Sequence, residues 1–151
     1  MIRLTKVSDY GIVLLTHFAG KPAYLSHNAP DLAAETGLPL PMVSKVLKAL
    51  ARTGLLLSHR GVKGGYSLAR PPTEISVRDI IGALEGPIAI TECIEHESPD
   101  CNIERLCPVR SNWNRINQAV EQALEGITLE DMAQPLTGKF VKFGNGVLTR
   151  R

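Results

Sequence analysis

The chain has no apolar run long enough to cross a bilayer, and its first residues, MIRLTKVSDYG, lack a continuous apolar core and a small-residue cleavage site. Neither a membrane span nor a secretory leader is expected. Cysteine is scarce: there are three, an odd number that cannot pair completely, which argues against a disulfide framework and for a reducing, cytoplasmic setting. Aromatic residues are only 5% of an otherwise ordinary soluble composition. Net charge is small, 17 Lys and Arg against 15 Asp and Glu, so bulk charge does not announce a nucleic-acid partner. Glycine, lysine and hydroxyl residues never fall in the order of a phosphate-binding loop, no Cys/His pairing suggests a nucleophile, and no internal repeat is present. An enzyme is not expected.

What is present is organised. At 151 residues the chain has the size of one domain, or of a small domain with an appendage. Residues 5–19 read as a helix with Val7, Gly11, Leu14, Leu15 and Phe18 on one face and Gly20 at its end. Residues 29–36 read as a second, with Asn28 as cap and Gly37 as stop. Pro41 suits the start of a third, which runs to about Thr53. There Val43, Val46, Leu47 and Leu50 repeat at core spacing, while Lys45, Lys48 and Arg52 fall opposite, with Ser44 beside them. Two helices joined this way make a helix-turn-helix whose second helix is basic on its outer side. The same pattern also fits an ordinary helical pair with a solvated basic face.

The next residues favour the first reading. Residues 55–59 and Tyr66–Ala69 read as strands around the basic, glycine-rich turn RGVKGG, which carries Arg60 and Lys63. A hairpin directly after a recognition helix is a wing. Pro71-Pro72 marks a break, and Ser76 with Asp79 is a capping box opening a fourth helix that Gly86-Pro87 ends. After an acidic, cysteine-bearing loop, Pro108 can begin a long last helix. Val109, Trp113, Ile116, Val120, Ala123 and Ile127 then recur at intervals of 4, 3, 4, 3 and 4, the period of two helices packed side by side. That seam suits pairing with a second copy or packing on its own domain. Thr128 and Asp131 start one further short turn.

All three cysteines lie in the acidic loop, as Cys93-x7-Cys101-x5-Cys107. The spacing matches neither a zinc ribbon nor a ferredoxin. Free cysteines prefer buried apolar positions, and these sit among Glu, His, Asp and Asn, which favours a metal or cluster site over three inert thiols. Three thiolates leave one position to fill. His96 would complete a Cys3His zinc site. Asp9 on the first helix, or a nearby carboxylate, would leave a more labile iron–sulfur cluster. Cys107, beside a helix start, is favoured as a thiolate.

The stretches LTKVSDYGIVLL, PMVSKVLKALARTGLL, SHRGVKGGYSLAR and ISVRDIIGALEGP, followed by the three cysteines, resemble the IscR/NsrR/RirA-type winged-helix iron–sulfur regulators over residues 1–135. Within that family the chain is most similar to regulators of SUF iron–sulfur assembly genes. The resemblance implies a homodimer held by the last helix, a roughly palindromic double-stranded operator, and a [2Fe-2S] or [4Fe-4S] cluster on Cys93, Cys101 and Cys107. In IscR a histidine three residues after the third cysteine completes the site, and Arg110 stands there instead. In NsrR an aspartate on the partner's first helix serves, and Asp9 matches it, so the resemblance favours Asp9 over His96. Arg60 matches a wing arginine that reaches the minor groove in IscR, and Ser44 replaces a glutamate of its recognition helix.

The expected fold is mainly α with a small β wing: a winged helix-turn-helix plus a long C-terminal dimerisation helix. Residues 1–86 would bind DNA, 87–107 hold the cluster, 108–135 dimerise, and 136–151 form a flexible tail. The expected function is transcription regulation, as a repressor, governed by iron–sulfur or redox status. The DNA contacts would come from Ser44, Lys45, Lys48, Arg52, Arg60 and Lys63. The alternatives are a zinc-stabilised winged helix without a redox cluster and a nitric-oxide or iron sensor of the same family.

Overall fold

The computed structural model describes residues 3–22, 25–91, 94 and 107–134. In chain order these form α1 (Lys6–Ala19), α2 (Ala29–Thr36), α3 (Leu40–Arg52), β1 (Leu56–His59), β2 (Gly65–Leu68), a single 3-10 turn (Pro72–Glu74), α4 (Val77–Glu85), α5 (Arg110–Glu125) and α6 (Leu129–Ala133). The mainly helical winged-helix architecture is the one expected. Helix starts follow their caps: Thr5, Asn28, Ser76 and Thr128 each accept a bond from the backbone of the first turn, and Ser76 and Thr128 form capping boxes with Asp79 and Asp131. Gly37 closes α2 in the left-handed conformation at φ 71°.

The core gathers where the apolar stripes of α1, α2, α3 and α4 meet. Leu14, Leu15, Leu32, Val43, Val46, Leu47, Leu50, Ile75 and Ile80 are fully buried there. Burying a side chain of this kind contributes on the order of 1.5–3 kcal/mol over leaving it in water. Gly11 lets α4 approach α1 closely: a Cβ there would fall 2.3 Å from Leu84 Cδ1. Helix α6 also reaches this core. Leu129 is fully buried in it, and the Leu129 and Val77 N–H groups donate to the Ile75 and Ile127 carbonyls at 2.7 and 2.9 Å.

The wing is an antiparallel hairpin in the register Leu56↔Leu68 to His59↔Gly65. It carries a rung that its own sequence does not disclose. The His27 N–H donates to the Tyr66 carbonyl at 2.8 Å and receives the Tyr66 N–H on its own carbonyl at 2.9 Å. The connection between α1 and α2 thus pairs with the outer edge of β2. Gly65 makes this possible: its φ is 155°, and a Cβ there would lie 2.7 Å from the His27 carbonyl oxygen. Ser26 Oγ donates to the Lys63 carbonyl at 3.0 Å and holds the tip of the wing.

Two helix starts differ slightly from the sequence expectation. Helix α3 begins at Leu40, with Pro41 as its second residue. Pro108 precedes α5 inside a turn in which the Arg110 N–H donates to the Cys107 carbonyl at 3.4 Å, and the regular helix starts at Arg110.

Candidate nucleic-acid interface and cysteine site

Helix α3 is sharply divided. Val43, Val46, Leu47 and Leu50 are fully buried, which turns Lys45, Lys48 and Arg52 outward and exposed, with Ser44 half-buried at their side. The hairpin packs directly after it, with Arg60 and Lys63 exposed at the tip and Val62 fully exposed between them. Among the described residues, none of these five cations has a carboxylate partner. Elsewhere cations do: Lys21 donates to Glu35 at 2.7 Å, Arg70 to Asp79 at 3.4 Å and Arg78 to Glu121 at 2.9 Å. An unneutralised strip of positive charge across a helix and a wing attracts a polyanion. His59 Nε2 and the buried Ser67 Oγ, 2.8 Å apart, brace the two strands that carry it.

Of the proposed metal ligands, Asp9 and Cys107 lie among the described residues; Cys93, Cys101 and His96 lie outside them, as does the tail after residue 134. Asp9 is exposed on the first turn of α1, and Cys107 is half-buried just ahead of α5. Among the described residues no three His, Cys, Asp or Glu side chains converge.

Two contacts that sequence reasoning missed fasten the chain where it leaves α4 and enters the cysteine loop. Asn117 is the only buried residue of α5. Its Oδ1 accepts the Ile90 N–H at 3.1 Å, and its Nδ2 donates to the Ile88 carbonyl at 2.9 Å and to Glu121 Oε1 at 2.7 Å. The strand of chain leaving α4 is therefore clamped to α5. A few residues earlier, Glu85 Oε1 accepts from both the N–H and the hydroxyl of Thr5, at 3.0 and 2.8 Å. That ties the end of α4 to the cap of α1, one turn from Asp9. An asparagine between Trp113 and Val120 on an otherwise apolar stripe was the visible signal for the first contact. Nothing local marked the second.

A profile of the Rrf2 family, described as iron-dependent transcriptional regulators, matches residues 4–135. The chain belongs to the Rrf2 family. Among its Rrf2 relatives is the HTH-type transcriptional regulator CymR of Bacillus subtilis (strain 168), 31% identical over 138 residues that cover 91% of this chain and 94% of CymR. Another is the HTH-type transcriptional regulator NsrR of Halalkalibacterium halodurans, 27% identical, covering 87% of this chain and 90% of NsrR. The fold matches the solved structure of B. subtilis CymR, the global cysteine regulator, with a TM-score of 0.68 over 88% of this chain and 97% of that one. It also matches T. potens IscR, with a TM-score of 0.63, 29% identity, and coverage of 87% and 85%. This Rrf2 protein is accordingly a transcriptional regulator of a family that is not enzymatic. No helix among the described residues is long and apolar enough to cross a membrane.

Proposed function

We propose that this Rrf2 regulator is a cytoplasmic homodimeric repressor that grips a roughly palindromic duplex operator and reports iron–sulfur status to iron–sulfur assembly genes. The observation that carries the reading is the strip of exposed Lys45, Lys48, Arg52, Arg60 and Lys63 along α3 and the wing, none with a carboxylate partner among the described residues, with Ser44 at its edge. Recognition helices place such a face in the major groove, and a wing cation beside it suits the adjoining backbone or minor groove.

The sensing half rests on donor chemistry. Three soft thiolates and one carboxylate suit an iron–sulfur cluster, with Cys93, Cys101 and Cys107 holding it and Asp9 of the partner subunit as fourth ligand. A cluster so held supplies a reversible, redox-responsive charge. The chain's own residues do the rest. Asn117 transmits any displacement of the loop to α5, and the Thr5–Glu85 contact transmits it to α1. Because α5 is the proposed pairing helix, loop position sets the relative placement of two reading heads, a two-state element that cluster occupancy biases. Family membership alone does not choose the signal, since a relative here is described as a global cysteine regulator.

Anaerobic purification with iron, acid-labile sulfide and visible spectra tests the cofactor. Loaded and emptied preparations on the same promoter fragment test the switch. Iron and sulfide with a visible band, and unequal DNA affinities, are expected. A colourless protein with one zinc per chain, or equal affinities, would overturn the proposal. Cys→Ala variants at 93, 101 and 107 should lose the colour yet stay folded.

A further inference from the structure

Helix α3 begins between two prolines. Pro39 is its N-cap, Pro41 its second residue, and no side chain caps it. The prolines have no N–H, and the Met42 and Val43 N–H groups both turn back to the Pro39 carbonyl, at 3.0 Å each. A helix start usually holds several N–H groups out to an anion. Here only that of Leu40 remains among the first residues. A phosphate would find almost nothing to bind.

What this start presents is carbon. Leu38 and Met42 pack inward against the core, while Leu40 is 43% exposed and Pro39 and Pro41 are exposed beside it. Leu40, Ser44 and Lys48 follow one another at intervals of four along α3, and Pro41, Lys45, Lys48 and Arg52 form the adjoining stripe. The apolar corner is thus the leading end of the same face that carries the cations. Leu40 is not part of the core cluster, and a polyanion drawn to those cations would bring base edges up to it. The leading residues of a recognition helix are the ones that meet base edges, and thymine alone displays a methyl group in the major groove.

We propose that Leu40 and Pro41 read thymine 5-methyl groups, so that each half-site requires a thymine at a fixed position. This rests on the proposed docking of α3 in the major groove and adds to it the chemical identity of a base. The specificity it gives is apolar and independent of salt, beside the salt-dependent grip of Lys45 and Lys48.

The test uses the full chain. Binding sites are selected from a randomised duplex pool, and each thymine of the selected half-site is replaced in turn by deoxyuridine, which removes only the methyl. One thymine should prove sensitive, with affinity about fourfold weaker per methyl lost. Leu40→Ala should bind the thymine duplex more weakly by a similar factor and should no longer distinguish thymine from deoxyuridine there. Pro41→Ala, which keeps a helix-compatible residue, should show part of the same loss. If wild type binds every deoxyuridine duplex as tightly, or Leu40→Ala keeps full methyl sensitivity, the inference is overturned. If selection yields a site and Lys48→Ala weakens it while no methyl matters, only this inference falls. If no sequence is enriched and Lys45→Ala and Lys48→Ala bind unchanged, the docking of α3 falls as well.

Discussion

Helices α3 and α5 are both amphipathic, and they dispose of their apolar sides in opposite ways. Four apolar residues of α3 are completely buried in the chain's own core, which leaves its cations outside. Helix α5 buries one residue, the polar Asn117, while Ile116 stays 46% exposed and Trp113, Val120 and Ala123 are half-buried. The first helix is finished within one copy of the chain. The second has an apolar side that is only half-covered among the described residues, next to a buried amide that anchors it. A helix that leaves an apolar stripe half-covered beside a buried amide is suited to a second copy of itself. The comparison shows why amphipathicity alone does not say which side of a helix faces its own fold.

The difference can be attacked from both sides. Leu47→Ala in α3 should cost about 2–5 kcal/mol in denaturant unfolding, because the void opens in a closed core. Asn117→Ala should cost about 1–3 kcal/mol by stranding the Ile88 carbonyl and the Ile90 N–H, and hydrogen exchange at Ile90 should accelerate. Ile116→Glu should leave the fold of each copy intact but weaken self-association by roughly tenfold in sedimentation equilibrium. An unchanged association constant would mean that α5 is not the pairing helix. Lys48→Ala should leave stability alone and lower the salt dependence of DNA binding by about one unit of slope.

The smallest effect lies off both helices. Lys21 first, and His17 second, bond to the Glu35 carboxylate and hold its pKa down to about 2, from an ordinary 4.5. A depressed carboxyl stabilises the fold above its unfolded pKa and ceases to do so as pH falls through the folded one. The stability gap between wild type and Glu35→Gln should therefore close as pH drops from 5 towards 2. The group is exposed, so the gap is small and shrinks further in salt.

Much of this molecule is written locally. The caps Asn28, Ser76 and Thr128, the core repeats of α1, α3 and α4, and the glycine-rich turn after α3 each involve residues within a turn or two of one another, and all of them stand in the sequence. The seam of α5 was legible as a period, but the period did not say that its inner side would be held by an asparagine. The contacts that were not legible are distant ones: Thr5 with Glu85, Asn117 with Ile88 and Ile90, and His27 with Tyr66. They depend on where the tertiary fold brings two segments together, and neither segment carries a repeat that announces the other. Of the proposed site, residue type and exposure of the α3 cations were readable beforehand, because the core stripe of α3 fixes its opposite side.

The burial of Leu129 has a practical corollary. A fragment stopped after α4 would lack the leucine that fills the space by Ile75 and the backbone rung that Val77 and Leu129 make with their neighbours. The reading head should therefore be less stable when borrowed without α6 for fusion or crystallisation. Any shortened version has to keep its C-terminal turn, or have it supplied as a separate peptide.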